Sequence, residues 1–356
     1  MLHPVIMAGG AGTRFWPASR ANLPKQLLTL ASERSMIQAT FDRLRGLAEP
    51  NQVLIVTNDA LVKSVAEQLP ELPSQSVLGE PCKRDTAACV GLAAGIIARS
   101  DPSGTMLVLP ADHVISPLDR FQEAVRRATK LVENDPSLIV TFGVPPTYPA
   151  ESYGYIERGD TLAKDNVFKV RMFREKPNAA TAQQYLASGN FYWNSGIFVW
   201  NAKTIWDALR QFEPEMVEQL DKIVAAYGSA EFPRVFRERF EKIRGKSIDY
   251  AVMERYPNVA VIEVSFDWDD VGSWQSLTRL RGTDQDGNTV IGRHLGVKTH
   301  GCIVRTDDQH LVVTLGMDDC IVVHTPDATL VARKQDEESV RKVVEMLKER
   351  GWTEFL

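Results

Sequence analysis

The sequence predicts an α/β fold, in which a doubly wound sheet is followed by a small stacked-β unit and a closing helix. Three observations carry that reading. Over residues 1–145, short β-branched runs alternate with amphipathic stretches. Beyond Gly282 the texture changes, and apolar pairs recur about every nine residues. The 356 residues are 44% apolar and 24% charged, which suits a packed core in one large domain and one small one.

Strands are expected at Pro4–Ala8, Val53–Thr57, Ser76–Leu78, Thr105–Leu109 and Leu138–Phe142. Between them, Ser35–Leu47, Leu61–Leu69, Thr86–Arg99 and Phe121–Glu133 have the apolar period of helices. That rhythm implies parallel strands with crossover helices on both faces. Ligands of such sheets bind beyond the carboxyl ends of the strands, so the residues just after each strand carry most weight. From 150 to 275 the order is less regular. Val167–Phe173 and Val259–Phe266 read as further strands, while Asn178 and Ser247 stand where helix N-caps are expected. Past Gly282, Cys302-Ile303-Val304, Leu311-Val312-Val313, Ile321-Val322-Val323 and Leu330-Val331 are separated by turns containing Asp, Gly or Pro. The last helix carries Val340, Val343, Val344 and Leu347 on one stripe, which suits its own chain or the second subunit of a homodimer. These patterns divide the chain into a domain at 1–285 and a tail at 286–356.

A net charge of −5 and the lack of any basic run argue against nucleic acid as a partner. No stretch has the length of an apolar membrane span, and Met1-Leu2-His3-Pro4 runs straight into a strand, leaving no room for a signal peptide. Cys82, Cys89, Cys302 and Cys320 show no C-x-x-C spacing and suit reduced thiols, so a cytoplasmic location is expected. His294, His300, His310 and His324 lack zinc-ligand spacing.

Three places carry chemistry. Ala8-Gly9-Gly10-Ala11-Gly12-Thr13-Arg14 follows the first strand, and its glycines let backbone N–H groups approach an anion closely. It is not a P-loop, because Gly-Lys-Ser/Thr is absent. It is not a dinucleotide fingerprint either, because Phe15 stands at the third glycine position. Arg14 and Lys25 place two cations behind the glycines, one offering a fork and the other a compact charge. Asp112, just past Leu107-Val108-Leu109-Pro110, is placed as a carboxylate holding Mg²⁺ beside a phosphate would be; an Asx turn is the plainer alternative. Asp267, Asp269 and Asp270 follow Phe266 closely, and three such acids are costly to hold together without a cation.

These motifs, with Phe173-Arg174-Glu175-Lys176-Pro177, Trp193-Asn194-Ser195-Gly196-Ile197-Phe198 and Asp270-Val271-Gly272-Ser273-Trp274, resemble the bacterial mannose-1-phosphate guanylyltransferase (GDP-mannose pyrophosphorylase) branch of the sugar nucleotidyltransferase family. The resemblance runs over essentially the whole chain and is to the short, single-activity form. It implies a doubly wound mixed sheet of Rossmann-like type, then a left-handed β-helix-like unit and a C-terminal helix. It also implies transfer of GMP from GTP to mannose 1-phosphate with Mg²⁺. By the same resemblance, Ala8, Gly9, Gly10, Gly12, Thr13, Arg14 and Lys25 would hold the nucleotide's phosphates, with Asp112 and Asp270 as metal ligands. Glu80, Arg84 and Thr86 would face the base, in a segment where Asp85 and Ala88 replace the Asn and Pro expected of the family. Gly154, Glu175 and Asn194 would meet the sugar, and Lys176 its phosphate. Two other readings stay open at this point: an enzyme for another sugar 1-phosphate such as glucose 1-phosphate, and a catalytically silent regulator that binds a nucleotide sugar. A silent copy would be expected to have lost a cation or a metal carboxylate, yet Arg14, Lys25, Asp112 and Asp270 are all present.

Overall fold

The first apolar run, Leu2–Ala8, forms strand β1, and the runs after it build a sheet on both of its sides. The computed structural model describes residues 1–10, 12–164 and 166–356. The strands are β2 (Leu54–Asn58), β3 (Val77–Glu80), β4 (Thr105–Pro110), β5 (Val114–Ser116), β6 (Ile139–Val144), β7 (Gly154–Ala163), β8 (Val167–Glu175), β9 (Phe191–Asn201), β10 (Val259–Glu263) and β11 (Asp267–Asp269). The chain forms two compact units. The first comprises Met1–Gly9, Phe41–Pro110 and Ile115–Trp268; the second comprises Gly10–Thr40, Ala111–Val114 and Asp269–Leu356.

The first unit holds a nine-stranded sheet in the order β3-β2-β1-β4-β9-β6-β10-β8-β7. β1 to β4 are parallel, and β6 and β10 are parallel to each other. Because β9 lies antiparallel to both β4 and β6, all six run the same way. β4 is buried on both faces up to Leu109, as a continuous apolar run in a sheet interior should be. Helix Asp85–Ser100 is buried over most of its surface, and Ala87, Val90, Leu92 and Ala94 share one core with Trp206, Leu209 and Leu220.

In its second half the sheet is mixed, as expected, through antiparallel β8 and β9. The sequence marks β9 as a motif and not as a strand, because Asn194, Ser195 and Gly196 interrupt its apolar run. Burial of Trp193, Ile197, Phe198 and Trp200 makes it a central strand all the same. β7 is not anticipated by the sequence; its outer half is exposed and gives no strong apolar signal. Val259–Phe266 is shorter than expected, ending at Glu263, so Asp270 follows β11 directly. The helix expected at Ser35–Leu47 is limited to Met36–Asp42. Asn178 does cap its helix, accepting from the Thr181 N–H at 2.9 Å. Ser247 caps only a turn, accepting from the Tyr250 N–H at 3.4 Å.

In the second unit the nine-residue rhythm becomes two interleaved ladders. β12 (Thr289–Ile291), β14 (Ile303–Arg305) and β16 (Cys320–His324) stack in parallel and are closed by antiparallel β17 (Thr329–Arg333). β13 (His294–Val297) and β15 (Val312–Leu315) form the other parallel ladder. The coil's interior residues Ile303, Ile321, Val323 and Leu330 share a core with Val340 and Val344 of the C-terminal helix (Val340–Glu349), so the helix stripe packs on its own chain. Phe15, Trp16, Val271 and Trp274 belong to the same core. Among the described residues no helix is long and apolar enough to cross a membrane.

Candidate active site

The second unit gathers Gly12, Thr13 and Arg14 of the glycine loop with Lys25, Asp112 and Asp270 around one cavity of about 290 Å³. Gly12 enters the Thr13–Phe15 turn at φ 61°, and a Cβ there would lie 2.6 Å from the Lys25 backbone nitrogen. Glycine is therefore required both by conformation and by space. Ala11 lies outside the described residues. The backbone carbonyl of Gly10 accepts from the Gln26 amide at 3.2 Å, which ties the loop to the Lys25 segment.

Lys25 is buried, and its Nζ donates to Asp112 Oδ2 at 2.7 Å and to the backbone oxygen of Asp270 at 2.6 Å. Burial alone would raise the Asp112 pKa, but the Lys25 charge and then His113 hold the carboxyl below its ordinary value. The three acids after Phe266 take separate roles. Asp269 accepts from the Val271 N–H at 2.7 Å and pairs with Arg279 at 2.7 Å, whereas Asp270 lines the cavity. Val271 between Asp270 and Gly272 has φ 48°, a strained position for a β-branched residue, held by complete burial of its side chain. Arg14 donates from Nη1 to the Gly272 carbonyl at 3.1 Å. Its Nε is buried without a hydrogen-bond partner among the described residues, with Glu338 3.8 Å away.

In the first unit, Ala8 O accepts from the Thr57 hydroxyl at 2.9 Å, which ties the end of β1 to β2. Glu80 ends β3 with its carboxyl buried, and Oε1 has no hydrogen-bond partner among the described residues. Burial, then repulsion from Asp85, pushes its pKa up to about 8. A Cβ on Gly9 would stand 3.8 Å from Glu80 Oε2. Arg84 does not extend freely; its fork donates to the carbonyls of Lys83 and Glu241. Asp85 sits at φ 55°, a region that Asp and Asn both tolerate, so the replacement of Asn keeps the backbone turn. The Thr86 hydroxyl accepts from the Ile248 N–H at 2.8 Å.

Gly154, Glu175, Lys176 and Asn194 do come together in this unit. A Cβ on Gly154 would meet Glu175 Oε2 at 2.5 Å and Asn194 Cβ at 3.2 Å, so the glycine makes room for both side chains. Lys176, at φ 49°, pairs with Glu175. The Asn194 amide is fixed at both ends: Oδ1 accepts from the Gly196 N–H at 3.1 Å, and Nδ2 donates to Asp249 Oδ1 at 3.1 Å. Sequence reasoning missed Asp249. Its carboxyl is pushed up to about 7 by burial and next by Glu175. The one signal was an acid inside the apolar run around Ile248, Ala251 and Val252. Tyr148, Tyr153, Trp193 and Trp268 form an aromatic cluster in the same unit.

A family model described as nucleotidyl transferase matches residues 3–287, and one described as MannoseP isomerase/GMP-like beta-helix domain matches residues 292–347. Mannose-1-phosphate guanylyltransferase of Escherichia coli K12 is 40% identical over 98% of this chain and 74% of its own length. This chain belongs to the mannose-1-phosphate guanylyltransferase family. A relative of the same name from Klebsiella pneumoniae is 38% identical over 100% of this chain and 76% of its own length. A crystal structure described as mannose-1-phosphate geranyltransferase from Thermus thermophilus matches with a TM-score of 0.87 and 33% identity, covering 98% of this chain and 99% of that one. The first unit's sheet and the second unit's β-coil are thus family architecture, and the chain is a nucleotidyltransferase. Such enzymes generally use a divalent metal.

Proposed function

We propose that this member of the mannose-1-phosphate guanylyltransferase family transfers GMP from GTP to α-D-mannose 1-phosphate, giving GDP-mannose and pyrophosphate. The observation that carries the reading is Lys25, a buried ammonium held by Asp112 and Asp270 in the cavity that the glycine loop borders. A buried cation, a neighbouring carboxylate pair and open glycine backbone suit a polyphosphate better than any uncharged ligand. The donor set of Asp112 and Asp270 is all oxygen, which fits Mg²⁺. When bound, the metal neutralises phosphate charge and steadies the departing pyrophosphate.

Chemistry of this kind asks little covalent work of the protein. A sugar phosphate oxygen forms a bond to the α-phosphorus as the bond to the β-phosphate oxygen breaks, and the electron pair leaves with pyrophosphate. The nucleophile's second pKa is about 6, so it is largely ionised at neutral pH without a general base. The protein's residues bring polyanions together and cancel their charge. Arg14 and Lys25 serve the triphosphate. Lys176 serves the sugar phosphate, and Glu175 and Asn194 its hydroxyls. Glu80, whose buried carboxyl has an unpaired oxygen, suits the donor edge of guanine, with Arg84 and Thr86 shaping the base segment.

Pyrophosphate release measured for four nucleoside triphosphates against three sugar 1-phosphates tests the reading. GTP with mannose 1-phosphate should give the highest kcat/KM, and omission of the divalent cation should abolish turnover. Preference for glucose 1-phosphate, or turnover unchanged by a chelator, would overturn it.

A further inference from the structure

The C-terminal helix begins at the phosphate cavity and runs from there over the protein's own core. Val340 and Val344, one turn apart, are buried with Phe15 and Trp16, which pins the helix to the turn that follows the glycine loop. Trp16 Nε1 donates to the Phe355 carbonyl at 2.8 Å and fixes the end of the chain to the same turn. Arg341 stands one residue from the stripe and lines the cavity with Gly12, Arg14, Lys25, Asp112 and Asp270.

The other two cations of the cavity have carboxylates close by. Lys25 is 2.7 Å from Asp112, and Arg14 Nε is 3.8 Å from Glu338. Arg341 is exposed and, among the described residues, makes no hydrogen bond or ion pair. An arginine that lines the cavity and has no partner among the described residues leaves its whole donor fork for a ligand. The guanidinium fork matches two phosphate oxygens at once, which an ammonium cannot do.

We propose that Arg341, supplied by the C-terminal helix, is a phosphate-binding residue of this cavity that grips the outer phosphates of the triphosphate and the pyrophosphate that departs. This rests on reading the cavity as the triphosphate site. Charge accumulates on the pyrophosphate as the bond to the α-phosphorus breaks, so a cation there serves the transition state as well as binding. The tail then completes the active cavity.

Inorganic pyrophosphate is the probe, titrated calorimetrically with and without Mg²⁺ into the full chain and into Arg341→Ala, Arg341→Lys and Lys25→Ala. Losing a charge-assisted contact weakens binding by roughly tenfold or more, so Arg341→Ala should raise the pyrophosphate Kd by about that factor. Arg341→Lys should fall between it and the parent, because it keeps the charge and loses the fork. KM for GTP should rise in parallel, while KM for mannose 1-phosphate and the melting temperature should stay as they were, the side chain being exposed. If Lys25→Ala loses pyrophosphate and Arg341→Ala binds it like the parent, the role of Arg341 is overturned and the cavity reading survives. If the parent itself fails to bind pyrophosphate, or Lys25→Ala binds it unchanged, the cavity reading falls and the role of Arg341 falls with it. A lowered melting temperature shared by Arg341→Ala and Arg341→Lys would make the arginine a helix-docking residue and overturn the proposal.

Discussion

Asp249 puts a second carboxyl beside Glu175 in the proposed sugar pocket, with Lys176 as the near cation. Two acids so close favour a proton on one of them, and burial adds to the effect. Asp249 also decides which way the Asn194 amide faces, since it accepts from Nδ2 while Gly196 donates to Oδ1. Asp249→Ala should therefore raise KM for mannose 1-phosphate roughly tenfold, the scale of losing a hydrogen bond to a charged group, and leave KM for GTP nearly unchanged. Asp249→Asn keeps an acceptor and should recover most of the loss. A carboxyl titrating near 7 also gives a pH signature. Its neutral form tolerates the incoming phosphate dianion better, so KM should climb between about pH 6 and pH 8. The substrate's own phosphate titrates for every variant, so the difference between the parent and Asp249→Asn isolates the protein group. Equal losses for both substrates, unrelieved in Asp249→Asn, would reduce Asp249 to a fold residue. At this scale the sequence was legible where a glycine or an acid followed a strand, as with Gly12 and Asp112. Asp249 follows no strand; it is brought in by a π-helical turn at Asp249–Met253, which has no compositional mark.

Strands position most of the candidate residues, and the apolar runs that announce strands also announced where to look for them. β4 and β10 share one sheet and one direction, and Asp112 and Asp270 lie a few residues beyond their carboxyl ends. β9 escaped because its site residue, Asn194, breaks the apolar run that would have marked the strand. β3 shows a cost of the same arrangement. It ends in Glu80, whose carboxyl is buried, has no ion partner among the described residues and is pushed from 4.5 to about 8. The folded protein thus keeps a proton that the unfolded chain gives up. The stability involved is fully present below the unfolded value and is lost as pH rises through the folded one. Glu80→Gln removes that titration. Its melting temperature should exceed the parent's at about pH 8, with the advantage shrinking toward about pH 5. GTP binding should weaken in the same variant above about pH 8, where the ionised carboxylate gives guanine's donor edge two acceptors and an amide gives one. A stability gain that is constant with pH would show that folding does not raise the Glu80 pKa. Intact GTP affinity would remove it from the base site.

The proposed phosphate cavity draws on residues far apart in sequence, because the second unit is assembled from three separate stretches. Phe15 and Trp16 from the glycine-loop segment share one buried cluster with Val271, Trp274 and Leu277. Ile303, Ile321, Val323 and Leu330 of the β-coil and Val340 and Val344 of the last helix complete it. The sequence showed the coil and the helix stripe but not what they cover; contacts such as Trp16 with Phe355, 339 positions apart, leave no local pattern. A chain ending at Asp286 would strip six aliphatic side chains from that cluster. Full burial of each contributes about 1.5–3 kcal/mol, so the loss exceeds what a domain of ordinary stability can absorb. The first unit has its own core around Trp200, Trp206 and Leu209, and its sheet does not depend on the tail for hydrogen bonds. Truncation should therefore act unevenly. Amide-exchange protection should persist in β1, β4 and β9 and collapse in Thr13–Phe15 and Lys25–Leu27. Pyrophosphate binding should vanish with it, and the stranded Phe15, Trp16 and Trp274 should make the shortened chain prone to association. A shortened chain that stays monomeric, protects the Thr13–Phe15 turn and binds pyrophosphate like the full protein would show instead that the cavity folds without the tail.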